Sequence, residues 1–315
     1  MSFVIDSDLK ASFGRVAVIY GGNSSERAVS LKSGAAVLAG LQRAGVEAFG
    51  IDLYGESADL EPLRQLQEEA FDRAFLILHG PGGEDGTLQG ALEMLGKPYT
   101  GSGVAASAIG MDKLRTKQLW LGAGLPTPPF AVCGQHESLD EVITRLGTPI
   151  IVKPAHEGSS IGMSKVRSRA ELADALTTAE SFDRTVIAER WMSGDEYTVA
   201  ILDGKALSPI LLVTNHEFYD FDAKYVANDT EYRFDHGLSA EKDKALRDLA
   251  EKAFAAVGCA GWGRVDVMQD EHGEFQLLEV NTAPGMTDHS LVPMAAKQQG
   301  ISFEQLVVEI LKTAH

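Results

Sequence analysis

The sequence predicts an α/β domain followed by an α+β region, and a change of pattern along the chain carries that reading. Between Arg15 and Leu95, short apolar runs alternate with longer segments of helical period. This is the β-α-β order of a parallel sheet covered by helices. Beyond Met111 the apolar runs are short, closely spaced and separated by tight turns, which fits antiparallel sheet better than further β-α-β units. A chain of 315 residues has room for two or three domains, and an apolar content of 44% supplies an ordinary core.

Residues 1–13 read as a polar extension. Arg15–Tyr20 is the first buried strand, followed by the turn Gly21-Gly22-Asn23 and a helix from near Glu26 to about Ala44, which Ser24 or Ser25 can cap. Val46–Leu53 is a second strand and Leu60–Glu69 a helix. Ala74–Leu78 is a third strand, ending at His79-Gly80, and Thr87–Leu95 is helical. Ligands gather at the carboxyl ends of strands in such sheets, which singles out Gly21-Gly22 and His79-Gly80. A helix over Asp112–Gly122 leads into Pro126-Thr127-Pro128-Pro129. Strands follow at Pro149–Lys153, Ile161–Val166, Thr185–Glu189, Glu196–Leu202 and Leu207–Val213, with one helix around Ala170–Ala179. Residues 215–238 are polar, aromatic and weakly periodic, and a loop that long is usually functional. A helix from Ala240 to Val257, strands Gly263–Met268 and Phe275–Val280, and two helical segments complete the chain.

A net charge of −17 argues against non-specific binding to nucleic acid or anionic membrane. No apolar run approaches the ~20 residues of a membrane helix, and no secretory signal is visible. Cys133 and Cys259 are far apart without metal-ligand spacing, the expectation for two reduced cysteines in the cytoplasm.

Two stretches carry chemistry. In Arg264-Val265-Asp266-Val267-Met268 and Leu277-Leu278-Glu279-Val280-Asn281, alternation places Arg264 with Asp266 and Glu279 with Asn281 on one face of each strand. Antiparallel pairing then gathers Asp266, Glu279 and Asn281, hard oxygen ligands suited to Mg2+ bridging phosphates. The competing reading is a solvated polar face. The run Lys153-Pro154-Ala155-His156-Glu157-Gly158-Ser159-Ser160-Ile161-Gly162 delivers a lysine from a buried strand into a loop of small residues that can approach phosphate oxygens, though a Gly/Ser loop is more often a plain turn. The P-loop and G-x-G-x-x-G fingerprints are absent.

Several motifs occur together and in order: Gly21-Gly22-Asn23-Ser24-Ser25-Glu26-Arg27, His79-Gly80-Pro81-Gly82-Gly83-Glu84-Asp85-Gly86, Tyr99-Thr100-Gly101-Ser102-Gly103, Met111-Asp112-Lys113, the Lys153–Gly162 run, Tyr219-Asp220-Phe221-Asp222-Ala223-Lys224-Tyr225, Gly263-Arg264-Val265-Asp266 and Glu279-Val280-Asn281-Thr282-Ala283-Pro284-Gly285-Met286-Thr287. With these the chain resembles the D-alanine–D-alanine ligases of the ATP-grasp superfamily over nearly all its length after residue 13. The resemblance implies an N-terminal substrate-binding domain over 14–111 and a two-part ATP-grasp fold, split into 112–200 and 201–315 with a mobile loop at 215–238. It departs from the family at Ala28, where many relatives are acidic, and His156 occupies a variable loop position.

The implied reaction joins two D-alanines at the expense of ATP. The first carboxylate attacks the γ-phosphorus, and the second amine then attacks the acylphosphate. By the resemblance, Lys113, Lys153 and Lys224 contact ATP phosphates, Glu189 the adenine amino group and Glu196 the ribose, while Trp191 lines the adenine pocket. Asp266, Glu279 and Asn281 hold Mg2+ or Mn2+, two ions in all. Glu26 anchors the first ammonium group, Arg264 and the Gly285 N–H stabilise the oxyanion, and Ser290 with the Leu291 backbone holds the second carboxylate. His79 lies near the second amine, and Glu26, Ser159 and Tyr225 close its subsite. Simpler readings stand beside these: Trp191 as core, Glu26 as an acid in a helix's first turn, His79 as a structural histidine, and Lys113 and Lys224 as surface lysines. The resemblance also implies a homodimer through the N-terminal domain. The enzymatic alternative is a relative that joins D-alanine to D-serine or D-lactate, the latter disfavoured by Tyr225. A catalytically silent nucleotide-binding protein would have lost ligands or lysines that are all present.

Overall fold

The computed structural model describes residues 3–55, 61–134, 138–158, 160–214 and 230–315. Three sheets organise them. The first is parallel, with β1 (Val16–Gly21) between β2 (Ala48–Leu53) and β3 (Arg73–Leu76). Val16 to Ile19 have no exposure at all, so β1 is the apolar centre of this domain. Helix α2 (Arg27–Arg43) packs on it, and at Gly34 a Cβ would lie 2.4 Å from the Tyr20 ring, so only glycine permits this approach. The buried serines of α2 are tied down: Ser30 Oγ donates to the Ile77 carbonyl and accepts from Gly21 N–H, and Ser33 Oγ accepts from Met286 N–H. The hydroxyls therefore hold both the β1 end and the distant 283–290 turn. Helices α3 (Pro62–Glu68) and α4 (Thr87–Met94) follow the expected order.

Several elements differ from the sequence expectation. Residues 7–13, expected to be a plain extension, form α1 (Ser7–Phe13), capped by Asp6, whose side chain accepts from Leu9 N–H, and anchored by buried Phe13. Helix α5 (Val104–Met111) escaped notice because its run of small and apolar residues has no amphipathic period. Helix α2 starts at Arg27 with Glu26 at its cap position, and Ser24 does not cap it. The Ser24 hydroxyl instead donates to the His79 carbonyl, fastening the two glycine-rich turns together.

Helix α6 (Lys113–Gly122), capped by Asp112 accepting from Arg115 N–H, leads to the second sheet, which is antiparallel in the order β4 (Phe130–Val132), β7 (Val186–Arg190), β5 (Ile150–Pro154), β6 (Ser164–Val166). Two helices cover it, not one. Besides α8 (Arg169–Glu180) there is α7 (Leu139–Leu146), which begins with the capping box Ser138–Glu141, a signal present in the sequence.

The third sheet runs β11 (Glu231–Arg233), β10 (Ile210–Val213), β8 (Glu196–Leu202), β12 (Trp262–Gln269), β13 (Phe275–Asn281), with β9 (Lys205–Ala206) on β8. The expected 200/201 boundary thus falls inside β8, which belongs to this sheet. Within the long polar segment, β11 pairs with β10. Helix α9 (Ala240–Val257) covers one face and ends at Gly258 in the left-handed conformation, φ 81°. Helices α10 (Leu291–Gln298) and α11 (Phe303–Lys312) join this sheet to the first domain in one apolar core with Val37, Leu41, Phe75, Ala200 and Trp262. Cys133 and Cys259 form no disulfide. Among the described residues no helix is long and apolar enough to cross a membrane.

Candidate functional site

A cleft enclosing about 760 Å3 of space open to solvent lies between the second and third sheets. Lys153 reaches it from the end of β5, Lys113 from the first residue of α6, and Trp191, Glu196, Asp266 and Glu279 from around its rim. Ile151, Met163, Met192 and Leu278 supply apolar walls. The arrangement follows from local structure. Buried β5 ends at Pro154, which releases the chain into the 155–162 loop, while β12 and β13 present their polar face to the cleft.

The register sets that polar face. Arg264 pairs with Asn281 and Asp266 with Glu279, and a bulge follows at Asp266/Val267. Directly opposed residues in an antiparallel pair share a face, so all four project together. The Arg264 guanidinium donates to both Asp266 oxygens at 2.8 and 2.7 Å, Thr198 Oγ1 donates to Oδ1 at 2.6 Å, and Asn281 Nδ2 to Oδ2 at 3.1 Å. Lys113 lies 3.5 Å from Glu279. The two carboxylates are thus balanced by two cations in the free protein. Two carboxylates and an amide are an oxygen donor set that suits a hard divalent ion. Among the described residues no group of three or more His, Cys, Asp or Glu side chains is placed to hold a metal, so the amide would be an essential third donor.

Beneath the cleft lies a charge cluster the sequence did not disclose. Glu189 is 1% exposed, and its Oε1 faces Lys153 Nζ at 2.9 Å and Lys117 Nζ at 3.1 Å. Lys117 has no exposure and also donates to Thr127 Oγ1 at 2.7 Å. Burial pushes its ammonium down to about 8 against the pull of Glu189. Burial pushes the Glu189 carboxyl up, yet Lys117 and then Lys153 outweigh it and hold it below the usual carboxylate range. The one available signal was spacing, because Lys117 lies four residues after Lys113 on the same face of α6. Trp191 is half-buried and carries Lys165 Nζ 3.7 Å above its ring.

A second group forms where the first domain meets the 283–290 turn. A Cβ added to Gly80 or Gly158 would lie about 3 Å from Glu26 Oε2, so the Glu26 carboxyl sits between the two glycine loops. His79 is buried, with Nε2 3.4 Å from Ser33 Oγ. Burial holds its imidazole below the ordinary range against the opposing effect of Glu26. Glu84, quoted in a motif but given no role, accepts from Gly80 N–H at 2.6 Å. Burial, with nearby Glu26 adding to it, raises its carboxyl to about 8. The pocket thus has one neutral acid beside Glu26. The Ser290 hydroxyl accepts from Thr287 N–H at 2.9 Å and caps no α10 amide, leaving the first N–H groups of α10, including that of Leu291, without a side-chain cap. A Cβ on Gly285 would lie 3.0 Å from Ser290 Oγ, which brings these two expected residues side by side.

His156 bridges two elements, with Nδ1 2.8 Å from Asp183 and Nε2 3.2 Å from Asp112 at the head of α6. The Lys113 ammonium donates to the Glu157 carbonyl at 2.6 Å. The loop after β5 is therefore fastened to α6 on both sides. Ser159, Lys224 and Tyr225 lie outside the described residues.

Comparison with known proteins adds the following. Residues 55–102 match the family model "D-ala D-ala ligase N-terminus" and residues 119–312 the model "D-ala D-ala ligase C-terminus". The chain is 60% identical over 299 residues to a D-alanine–D-alanine ligase of Pseudomonas fluorescens, covering 95% of this chain and 91% of that protein. It is 58% identical over 311 residues to one from Ectopseudomonas mendocina, covering 99% and 97%. Among solved structures, the D-alanine–D-alanine ligase of Bacillus anthracis superposes with a TM-score of 0.83 at 36% identity, covering 95% of this chain and 96% of that one. The same enzyme complexed with ATP gives 0.81 at 34%, covering 95% and 97%.

Proposed function

Since the chain belongs to the D-alanine–D-alanine ligase family, we propose that it joins two D-alanines to D-alanyl-D-alanine in the cytoplasm with ATP as energy source, supplying peptidoglycan precursors. The observation that carries the reading is the cleft between two antiparallel sheets, with Lys113 and Lys153 at one wall and Asp266 and Glu279, on the strand face they share with Arg264 and Asn281, at the other. ATP lies in that cleft, its adenine against Trp191 and Glu189, its ribose at Glu196, and its phosphates at Lys113, Lys153 and Lys224. Asp266, Glu279 and Asn281 would hold Mg2+ or Mn2+, which supplies neutralisation and alignment of the phosphates.

The first D-alanine binds with its ammonium group at Glu26. Glu84, neutral below about pH 8, leaves Glu26 as the local negative charge for that ammonium. A carboxylate oxygen of this substrate attacks the γ-phosphorus, the bond to the ADP oxygen breaks, and an acylphosphate forms. Arg264 and the Gly285 N–H stabilise the oxyanion that develops when the second amine attacks the carbonyl carbon. Phosphate then leaves with the C–O electron pair and the amine loses its proton. Ser290 and the Leu291 N–H at the uncapped start of α10 hold the second carboxylate. His79 lies beside the second amine, and Glu26, Ser159 and Tyr225 close its subsite. The stretch of residues 215–238 that precedes β11 closes over the site and excludes water from the acylphosphate. The working unit is a homodimer, which light scattering at micromolar concentration tests.

The decisive experiment measures phosphate release from ATP with D-alanine and with L-alanine. Release with D-alanine alone, with D-alanyl-D-alanine as product, is the expected result. Equal release with both, or none, overturns the reading.

A further inference from the structure

The cluster under the cleft contains one carboxylate and two lysines, and only one of the lysines can serve the ligand. Lys153 lines the cleft, whereas Lys117 is sealed with no exposure beneath Thr127, its ammonium within 3.5 Å of the Leu277 carbonyl. Both converge on the same oxygen, Glu189 Oε1, at charge-pairing distances but off the angles of a good hydrogen bond. We propose that Lys117 is a positioning residue for nucleotide binding: it is the fixed counter-ion of Glu189 that frees Lys153 to move to the phosphates.

A buried carboxylate left without a counter-ion is strongly disfavoured. If Lys153 were the sole partner of Glu189, its transfer to a phosphate oxygen would strand that charge in a site 1% exposed. Below about pH 8, where Lys117 keeps its proton, Glu189 is not left unpaired, and the cluster carries one excess positive charge that the phosphates take up. Of the two lysines, Lys117 also contributes more to holding the Glu189 carboxyl ionised. Thr127 Oγ1 donates to the Leu277 carbonyl at 2.8 Å independently of Lys117, so removing the ammonium leaves Glu189 as the main group affected.

This inference rests on ATP occupying the cleft, and its test separates the two. Affinities for ATP and for adenosine, and KM values for ATP and D-alanine, are measured for the wild type, Lys117→Met, Glu189→Gln and the double variant. In Lys117→Met, ATP affinity falls about ten- to a hundredfold, the range of a lost charge-assisted interaction; adenosine, which meets only the Glu189 side of the cluster, weakens less, and the D-alanine KM holds. In the Glu189→Gln background the same change has no further effect, because no carboxylate remains to be balanced. Unchanged ATP affinity in folded Lys117→Met, equal weakening of ATP and adenosine, or an undiminished effect in the Glu189→Gln background each overturns the proposal. Lys117→Gln, which keeps a donor for Thr127 but no charge, is read by the same criteria if the methionine variant does not fold. A wild type that binds no ATP refutes the assignment of the cleft itself, and this inference with it.

Discussion

Glu84→Gln isolates the neutral acid beside Glu26. The amide retains an oxygen to accept from Gly80 N–H, a bond of 2.6 Å in the wild type, and it cannot ionise. The Glu84 carboxyl titrates at about 8 in the folded protein, against 4.5 as its ordinary value. Between these values the folded state keeps a proton that the unfolded state has released, so stability falls as pH rises, by ~1.4 kcal/mol per unit. The contribution is full below pH 4.5 and lost by the time pH passes about 8. From pH 5.5 to 8 the wild type then loses ~3 kcal/mol through this one group. Glu84 is half-buried, and solvent screening reduces this to roughly 1–3 kcal/mol. Glu84→Gln lacks the term, so its stability relative to wild type should climb steadily across that window. His79, shifted down by burial, acts with the opposite sign and is present in both proteins, so the comparison removes most of its effect. Urea denaturation at pH 5.5, 7 and 8.5 gives the midpoints. A wild-type–variant difference that is flat with pH would refute a raised Glu84, and with it the argument that Glu26 alone meets the ammonium group.

Glu279→Gln should abolish ligation while leaving the urea midpoint within about 1 kcal/mol of wild type, because a half-buried isosteric amide preserves local hydrogen bonding. Substantial activity at ordinary Mg2+ would count against a metal role. Tyr225→Phe should keep ATP binding, weaken D-alanyl-D-alanine synthesis and gain D-alanyl-D-lactate synthesis, a shift of about ten- to a hundredfold for loss of one hydrogen bond to a charged group. Competition between D-alanine and D-lactate at fixed pH measures it, and an unchanged ratio removes Tyr225 from the second subsite. Ser302→Ala breaks the capping box that Ser302 and Gln305 form at the head of α11. It should cost ~1 kcal/mol by denaturation without altering ATP KM, since α11 packs on α2 and not on the cleft.

Whatever depends on order along the chain was legible before any fold was known. Period two along β12 and β13 put Arg264, Asp266, Glu279 and Asn281 on one face, and the register found in the third sheet keeps them there. The apolar run of β1 dictated a buried central strand, and the change of pattern after Met111 dictated antiparallel sheets. Ser138 and Glu141 carried the start of α7, although the sequence reading passed over them. Whatever depends on depth emerged only from the assembled fold. Lys113 and Lys117 have the same side chain one turn apart on one helix, yet Lys113 reaches the cleft and Lys117 is sealed against Glu189 with its ammonium shifted down to about 8. Nothing local distinguishes them, because the difference comes from Thr127, Leu277 and Glu189, which are brought in from other elements. Glu84 shares a motif with Asp85, yet burial and Glu26 raise the first carboxyl while backbone donors at Gly82 and Thr87 hold the second below the usual range despite its own burial. Periodicity tells which residues share a face. The cost of holding a charge there is set by how much water and how many counter-charges the assembled fold leaves around it.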